Sequence, residues 1–225
     1  ATTRLFLPDE AATDALGERI APLLRGGDTL LLHGPIGAGK SHLARALIRA
    51  RLGRMEDIPS PTFTLVQTYD DDPDIWHADL YRLTHPDEVH ELGLETAFDA
   101  AICLIEWPDR LGASTPENPI RLRLDPKGEG RVAQIWLGAR PDSFGAALLA
   151  HLRALKADAF LAQAGWGDAR RDALAQDAST RSYTRLFGQG TAIFMDAPPG
   201  QADSVADFVK VDAHLLALGL SAPKI

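Results

Sequence analysis

The eight residues Gly34-Pro35-Ile36-Gly37-Ala38-Gly39-Lys40-Ser41 constrain this chain more than any other feature. They satisfy G-x-x-x-x-G-K-S/T, follow the continuous apolar run TLLLH, and precede the helix-like sequence HLARALIRARL. An apolar run without alternation suits a strand buried on both faces of a mostly parallel sheet. A glycine-rich turn between such a strand and a helix is the order a phosphate cradle requires, because backbone N–H groups must reach phosphate oxygens with no Cβ atoms in the way. Gly37 and Gly39 permit that approach. Lys40 supplies a mobile positive charge and Ser41 a hydroxyl for Mg²⁺, while the following helix directs its positive end at the anion.

The surrounding sequence agrees with that frame. Apolar runs recur at TFTLVQTY, DIWHADLY and AICLIEW, with the polar HPDEVHELGLETAF between the last two reading as helix, an alternation that predicts an α/β sheet. Upstream, Thr3 to Leu7 is β-prone and stops at Pro8; Asp9 stands as an N-cap before a helix running towards Leu24, ended by Gly26 and Gly27. Downstream, PIRLRLD and RVAQIWLG flank the turn-rich PKGEG and read as a hairpin, and a helix follows from Ser143 to about Ala164. The expected fold is therefore an α/β P-loop NTPase domain over residues 1–155, with a mostly parallel sheet flanked by helices and a C-terminal β-hairpin. Residues 156–225 read as a small α+β piece. It has short strands at SYTRLF and TAIFMD, a Pro-Pro-Gly stop, a helix around Ala202 to Leu218, and too little apolar sequence to hold a core alone.

Nucleotide hydrolysis asks for more than a phosphate cradle: a carboxylate near the metal and a group that orients water, both delivered from the ends of neighbouring strands. Asp79 follows Ile75-Trp76-His77-Ala78 and Glu106 follows Ala101-Ile102-Cys103-Leu104-Ile105, so each acid falls at the carboxyl end of an apolar run. The spacing fits a metal-side carboxylate and a helix N-cap or surface acid equally well. Thr62 and Thr64, in Ser60-Pro61-Thr62-Phe63-Thr64, fit a switch-like segment that orders around the terminal phosphate.

Composition excludes several alternatives. The 23 Lys+Arg against 31 Asp+Glu give a formal charge of -8, the wrong sign for gripping nucleic acid with the whole surface, so any RNA role is expected to be indirect or local and no DNA partner is expected. The single cysteine, Cys103, lies in AICLIEW, where a buried, inert thiol is expected. His33, His42 and His77 lack metal-ligand spacing and are expected to be packing or surface residues; Trp76, Trp107 and Trp136 sit in apolar runs and are expected in the core. There is no membrane-spanning apolar stretch and no basic-then-apolar leader, which leads us to expect a cytoplasmic protein without membrane contacts.

The motifs Gly34 to Ser41, SPTFTLV at 60–66, HADLYRL at 77–83, ELGLE at 91–95 and CLIEWPDRLG at 103–112 occur in this order. Over roughly residues 3–150 the chain thereby resembles the TsaE family, the small P-loop ATPases of bacterial tRNA threonylcarbamoyladenosine synthesis. The resemblance implies that Gly37, Ala38, Gly39, Lys40, Ser41 and His42 wrap the phosphates of ATP, and that Ser41 and Glu106 hold Mg²⁺. Asp79 would act near the γ-phosphate and Thr62 would sense it. Lys40, Thr62, Asp79 and Glu106 form the implied catalytic set. Glu10 would lie near the base, and Asp109 and Arg131 would line the remaining nucleotide surface. The family more often has Thr at the position of Ser41 and a small hydroxyl residue at that of His42, so only the side-chain role of His42 is in question. The implied partners are a transferase subunit and its paralogous scaffold subunit, with tRNA met only indirectly. The implied task is to couple ATP binding and hydrolysis to successive rounds of threonylcarbamoyl modification beside the anticodon of tRNAs reading codons that begin with A.

The tail resembles something different. FLAQAGW, Gln176 to Tyr183, AIFMDAPPG and HLLALGLSAP look like the opening of an aminoglycoside-phosphotransferase-like sugar kinase, half of its N-lobe, so this truncated fragment is expected to be inactive by itself. Three other readings stand beside the accessory ATPase. A small-molecule P-loop kinase would need a lid, and Arg45, Arg49, Arg51 and Arg54 lie on the helix without one. A nucleotide-sensing module would dispense with hydrolysis. A sugar kinase with a regulatory first domain would need the missing catalytic loop.

Overall fold

The computed structural model describes residues 2–54, 57–85, 88–138, 142–175, 181–197, 205–223 and 225. The chain divides into two compact units, Ala1–Lys156 and Ala157–Ile225.

The first unit is built from strand β1 (Thr2–Leu7), helix α1 (Glu10–Ile20), β2 (Thr29–His33), α2 (Lys40–Leu52), β3 (Val66–Tyr69), β4 (Ile75–Asp79), α3 (Glu88–Glu91), α4 (Leu94–Ala100), β5 (Ile102–Glu106), β6 (Ile120–Lys127) and β7 (Gly130–Trp136), followed by the start of α5 (Asp142–Gln163). Its seven strands form one sheet in the order β1-β7-β6-β2-β5-β4-β3. The four central strands β6, β2, β5 and β4 run parallel, while β1 on β7, β7 on β6 and β3 on β4 are antiparallel. The hairpin read around PKGEG is β6–β7, and it continues the sheet rather than standing apart from it.

Continuous apolar runs arise in the centre because both faces there are covered. Leu30, Leu32, Ile102 and Leu104 face a core closed by Leu16 and Ile20 of α1, Leu43 and Leu47 of α2, and Leu148 and Leu152 of α5. Leu31, Cys103 and Ile105 face the other way, onto Val89, Leu94, Ala97 and Leu111. Asp9 caps α1 by accepting from Ala12 N–H at 2.8 Å, and α1 ends at Ile20, where Ala21–Leu23 with Pro22 continues as a 3₁₀ turn. Gly17 brings α1 close to α2: a Cβ there would lie 2.7 Å from Ala46 Cβ.

Three readings need correction. TFTLVQTY is a strand only from Val66, because Pro61 opens a turn closed by Leu65 N–H on Pro61 O at 2.6 Å, with Leu65 itself left-handed at φ 65°. The single helix predicted in HPDEVHELGLETAF is two, α3 and α4, divided where Gly93 turns left-handed at φ 72°; Pro86 and Asp87 lie outside the described residues. Trp76, Trp107 and Trp136 are only partly buried. The first two pack against the edge of a core cluster, and Trp136 lines an open cavity.

The second unit begins in the last turns of α5 and adds β8 (Arg170–Ala173), β9 (Ser182–Phe187), β10 (Thr191–Asp196) and helix α6 (Val205–Ala217). Its sheet is antiparallel in the order β10-β9-β8. β9 and β10 follow the sequence expectation. β8 was not expected, since RRDA carries no apolar signal and all four residues are exposed. Gln176 to Thr180, the Pro-Pro-Gly stop and Ala202 lie outside the described residues.

Candidate nucleotide site

The loop after β2 folds as its glycines require. Gly34, Gly37 and Gly39 have φ of 139°, 77° and 97°, conformations that cost an L side chain free energy and glycine none. A Cβ on Gly34 would strike the carbonyl oxygen of Leu124, and one on Gly39 the guanidinium of Arg131, whereas the space before Gly37 is open to 4 Å. Gly39 is the N-cap of α2 and contributes no side-chain acceptor, so the first N–H groups of that helix point into this opening.

Lys40, 5% exposed, curls back over its own loop. Its Nζ donates to Gly34 O and Pro35 O, both at 2.9 Å, and stands 4.0 Å from the centroid of the Trp107 ring. Burial lowers the pKa of this ammonium, opposed by the charges of Glu106 and Asp79. Trp107 is held for that contact in a left-handed conformation, φ 56° and ψ 50°, which costs a non-glycine residue about 1–3 kcal/mol, and it packs against Tyr81 with ring centroids 4.9 Å apart.

Sheet register brings the two acids together. Asp79 at the end of β4 is aligned with Glu106 at the end of β5, and Leu32, two residues before the loop, is aligned with Glu106 from the other side. Asp79 and Glu106 are 5% and 2% exposed, which removes the surface-acid alternative, and neither caps a helix. Glu106 Oε2 accepts from Ser41 Oγ at 2.8 Å, and its Oε1 lies 2.9 Å from His77 Nε2. Asp79 Oδ2 accepts from Thr62 Oγ1 at 2.8 Å and its Oδ1 from Tyr81 N–H at 3.0 Å. Thr62 Oγ1 is in turn 2.8 Å from Ser60 Oγ.

Lys40, Ser41, Thr62, Asp79 and Glu106 therefore form one polar cluster against the loop of Gly37, Ala38 and Gly39. Arg131 joins it from the start of β7 through its contact with Gly39. Three expected residues stand further out. Glu10 is exposed in the first turn of α1. Asp109 is 86% exposed, its Oδ1 3.8 Å from His33 Nδ1. The His42 side chain turns to α1, with Nε2 2.8 Å from Asp14 Oδ1 but without hydrogen-bond alignment, so its backbone is what it offers the loop. Ser41 and Glu106 present hydroxyl and carboxylate oxygens, hard donors suited to Mg²⁺, which keeps several waters and takes few protein ligands.

Sequence reasoning passed over His77. The residue is fully buried and orients Glu106, but the signal lies in strand pairing: His77 shares a face with Asp79 by spacing alone, and its reach to Glu106 follows only once β4 is known to lie beside β5. Trp107 gave no signal beyond its apolar run, since its role depends on a left-handed backbone.

The model of the family described as threonylcarbamoyl adenosine biosynthesis protein TsaE matches residues 7–133, more than half of the chain. Among relatives, the tRNA threonylcarbamoyladenosine biosynthesis protein TsaE of Rickettsia felis is 42% identical over 106 residues, covering 47% of this chain and 62% of the relative. The protein of the same name from Rickettsia conorii is 42% identical over 104 residues, 46% of this chain and 59% of the relative, so the matched stretch spans about three fifths of these two. That of Haemophilus influenzae is 34% identical over 144 residues, 59% of this chain and 90% of the relative. The crystal structure of Bacillus YdiB superposes with a TM-score of 0.57 at 22% identity, over 67% of this chain and 96% of YdiB, a likeness of fold. The chain belongs to the TsaE family.

Proposed function

We propose that the chain binds ATP and Mg²⁺ at the Gly34–Ser41 loop, hydrolyses the nucleotide slowly alone, and uses that cycle in the cytosol to sustain tRNA threonylcarbamoyladenosine synthesis. Its partners are the transferase subunit and the paralogous scaffold subunit of that pathway, and tRNA is met through them. The observation that carries this reading is the buried cluster in which Ser41, Glu106 and His77 on one side and Thr62 and Asp79 on the other converge beside the loop. Membership of a family named for this biosynthesis supports the substrate side.

In this reading the N–H groups of Gly37 to His42 bind the phosphates, and Lys40 leaves the carbonyls of Gly34 and Pro35 for the β- and γ-phosphate oxygens. Mg²⁺, when bound, would supply charge neutralisation to the phosphates. Ser41 and Glu106 hold it, with His77 fixing the carboxylate. Asp79 lies where a water near the γ-phosphate is oriented, and Thr62 reports its presence to the Ser60–Thr64 turn. Arg131, Glu10 and Asp109 meet the remaining nucleotide. Residues 156–225, a kinase-like N-lobe fragment, take no part.

The test is threonylcarbamoyladenosine formation over many turnovers by the transferase and scaffold subunits with this chain present, absent, or replaced by Lys40→Ala. Stimulation that the variant loses is expected; no stimulation by a chain that binds ATP overturns the reading. A sensing role without essential hydrolysis is favoured by one observation, that both oxygens of Asp79 are engaged in tying the Thr62 turn to β4. Asp79→Ala decides between them, since a sensor keeps its partner function when hydrolysis is lost.

A further inference from the structure

The large sheet is covered on both faces at its centre and on one face at its β1-β7-β6 side. There Leu5, Leu7, Leu122, Leu124, Ala133 and Ile135 fill the core beneath. The alternate residues form two rows across the opposite face. Arg4 pairs with Gln134, which pairs with Arg123, beside His33; Thr2 pairs with Trp136, which pairs with Arg121. A cavity of about 490 Å³ opens on this face, lined by Thr2, His33, Arg121, Arg123, Trp136 and Gly138.

The charges in this region are unequally matched. Arg123 is already held, its Nε 2.9 Å from both carboxylate oxygens of Asp125. Arg4 and Arg121 are exposed, and among the described residues no carboxylate pairs with either. The imidazole of His33 feels the excess: burial lowers its pKa, Asp109 raises it, and Arg121 and Arg123 lower it further.

We propose that this face docks an acidic segment of a partner protein, with one or two carboxylates on Arg4 and Arg121 and an adjacent apolar side chain in the cavity against Trp136. Charge complementarity carries the choice of occupant. The chain as a whole bears -8, so a long polyanion such as RNA would be repelled beyond the patch, whereas one or two carboxylates match the two arginines available. Arg123 already holds a carboxylate on this face, its Nε shared between the two oxygens of Asp125, and Arg121 offers a guanidinium of the same kind. A partly buried tryptophan beside arginine is also the composition that dominates interface energetics. The identity of the partner as the transferase and scaffold subunits rests on the function proposed above.

The test uses the full chain carrying Arg4→Glu and Arg121→Glu. Both positions are exposed, so the fold is retained, and melting together with nucleotide affinity verifies this. Calorimetric titration into the complex of transferase and scaffold subunits is expected to show affinity reduced by about tenfold or more at low salt, the loss shrinking at high salt, with nucleotide affinity unchanged. Wild-type affinity in the double variant overturns the proposal. So does a variant that binds the complex normally but loses binding to isolated tRNA, which would make the face an RNA site. A wild-type chain that stimulates the complex no better than the variant sinks the docking face alone. One that neither binds nor stimulates sinks the proposed function together with it.

Discussion

The two units differ in how many polar residues they bury and in the core that surrounds them. In the first, Lys40, His77, Asp79 and Glu106 are all 5% exposed or less, with Asp79 and Glu106 at the ends of β4 and β5, His77 within β4 and Lys40 opening α2. In the second, the buried apolar residues among those described are Leu161 and Leu186, Asp212 is the one buried charged residue among them, and the other charges lie mostly in surface pairs such as Arg171 with Asp158 at 2.5 Å and Arg170 with Asp172 at 3.1 Å. Exposed pairs of this kind contribute about 0–1 kcal/mol. Burying ionisable groups costs free energy that their pairing and hydrogen bonds offset only in part, so the rest falls on the stability of the surrounding core. The site can therefore exist where the parallel sheet is thickest, and the second unit lacks the apolar mass to support one like it.

The sharpest way to break this contrast is to cut the same side chain in both units. Leu104→Ala, in the centre of β5 and 1% exposed, is expected to cost about 3–5 kcal/mol, and Leu186→Ala in β9 about 2 kcal/mol or less, because the neighbours of Leu186 are partly exposed and can close around the gap. Denaturant unfolding followed by far-UV dichroism measures both. Equal losses would mean that the second unit has a core as effective as the first.

Lys40→Ala comes next. Removing a buried charge-assisted donor from the phosphates is expected to weaken nucleotide binding by about ten- to a hundredfold, while the melting temperature moves little, since Gly34 O and Pro35 O become accessible to water. Titration with a fluorescent nucleotide measures the loss. A variant that binds normally would separate the loop from the nucleotide.

What could be read from the sequence divides along the same line. The loop, β2, β5 and the acids at the ends of β4 and β5 were legible because a strand buried on both faces leaves a continuous apolar run and its carboxyl end is marked by the first charge. The β6–β7 hairpin was legible through alternation around PKGEG. β8 was not, because an edge strand with four exposed residues carries neither signal. Nor was the break at Gly93, where one left-handed residue outweighs helical periodicity on both sides. His77 and Arg131 reach the site through pairing and reach rather than pattern: His77 through the β4–β5 register, Arg131 by meeting Gly39 from β7, a strand 92 positions along the chain from it only in number and adjacent to it in space.

His77 offers a finer test of how the first unit uses its buried polar groups. Losing a group that orients a metal-side carboxylate typically weakens metal affinity by about 10–100-fold. His77→Ala is expected to raise the Mg²⁺ concentration that half-saturates ATP hydrolysis by about tenfold, with metal-free nucleotide affinity unchanged. His77→Gln, which restores a donor for Glu106 Oε1, should recover part of it. A loss of nucleotide affinity without any change in Mg²⁺ dependence would reduce the histidine to packing.

Near neutral pH Cys103 gives the smallest effect, and at high pH the most direct reading of how dry the first core is. The thiol is fully buried on β5, and burial pushes its pKa from 9.0 up to about 12, with the neighbouring Thr29 side chain opposing. Near neutral pH the thiol is protonated whether the chain is folded or not, so Cys103→Ala changes the pH dependence there by nothing measurable. Above the ordinary thiol value the unfolded chain releases a proton that the folded chain keeps, and stability falls as pH rises from about 9 to about 12, by about 1.4 kcal/mol per pH unit. Denaturant midpoints across that window should therefore decline more steeply in the parent than in Cys103→Ala, and the native thiol should resist alkylation until the first unit unfolds. Parallel slopes, or rapid labelling of the folded chain, would mean that water reaches the middle of β5, and the contrast between a dry first core and a wet second unit would lose its foundation.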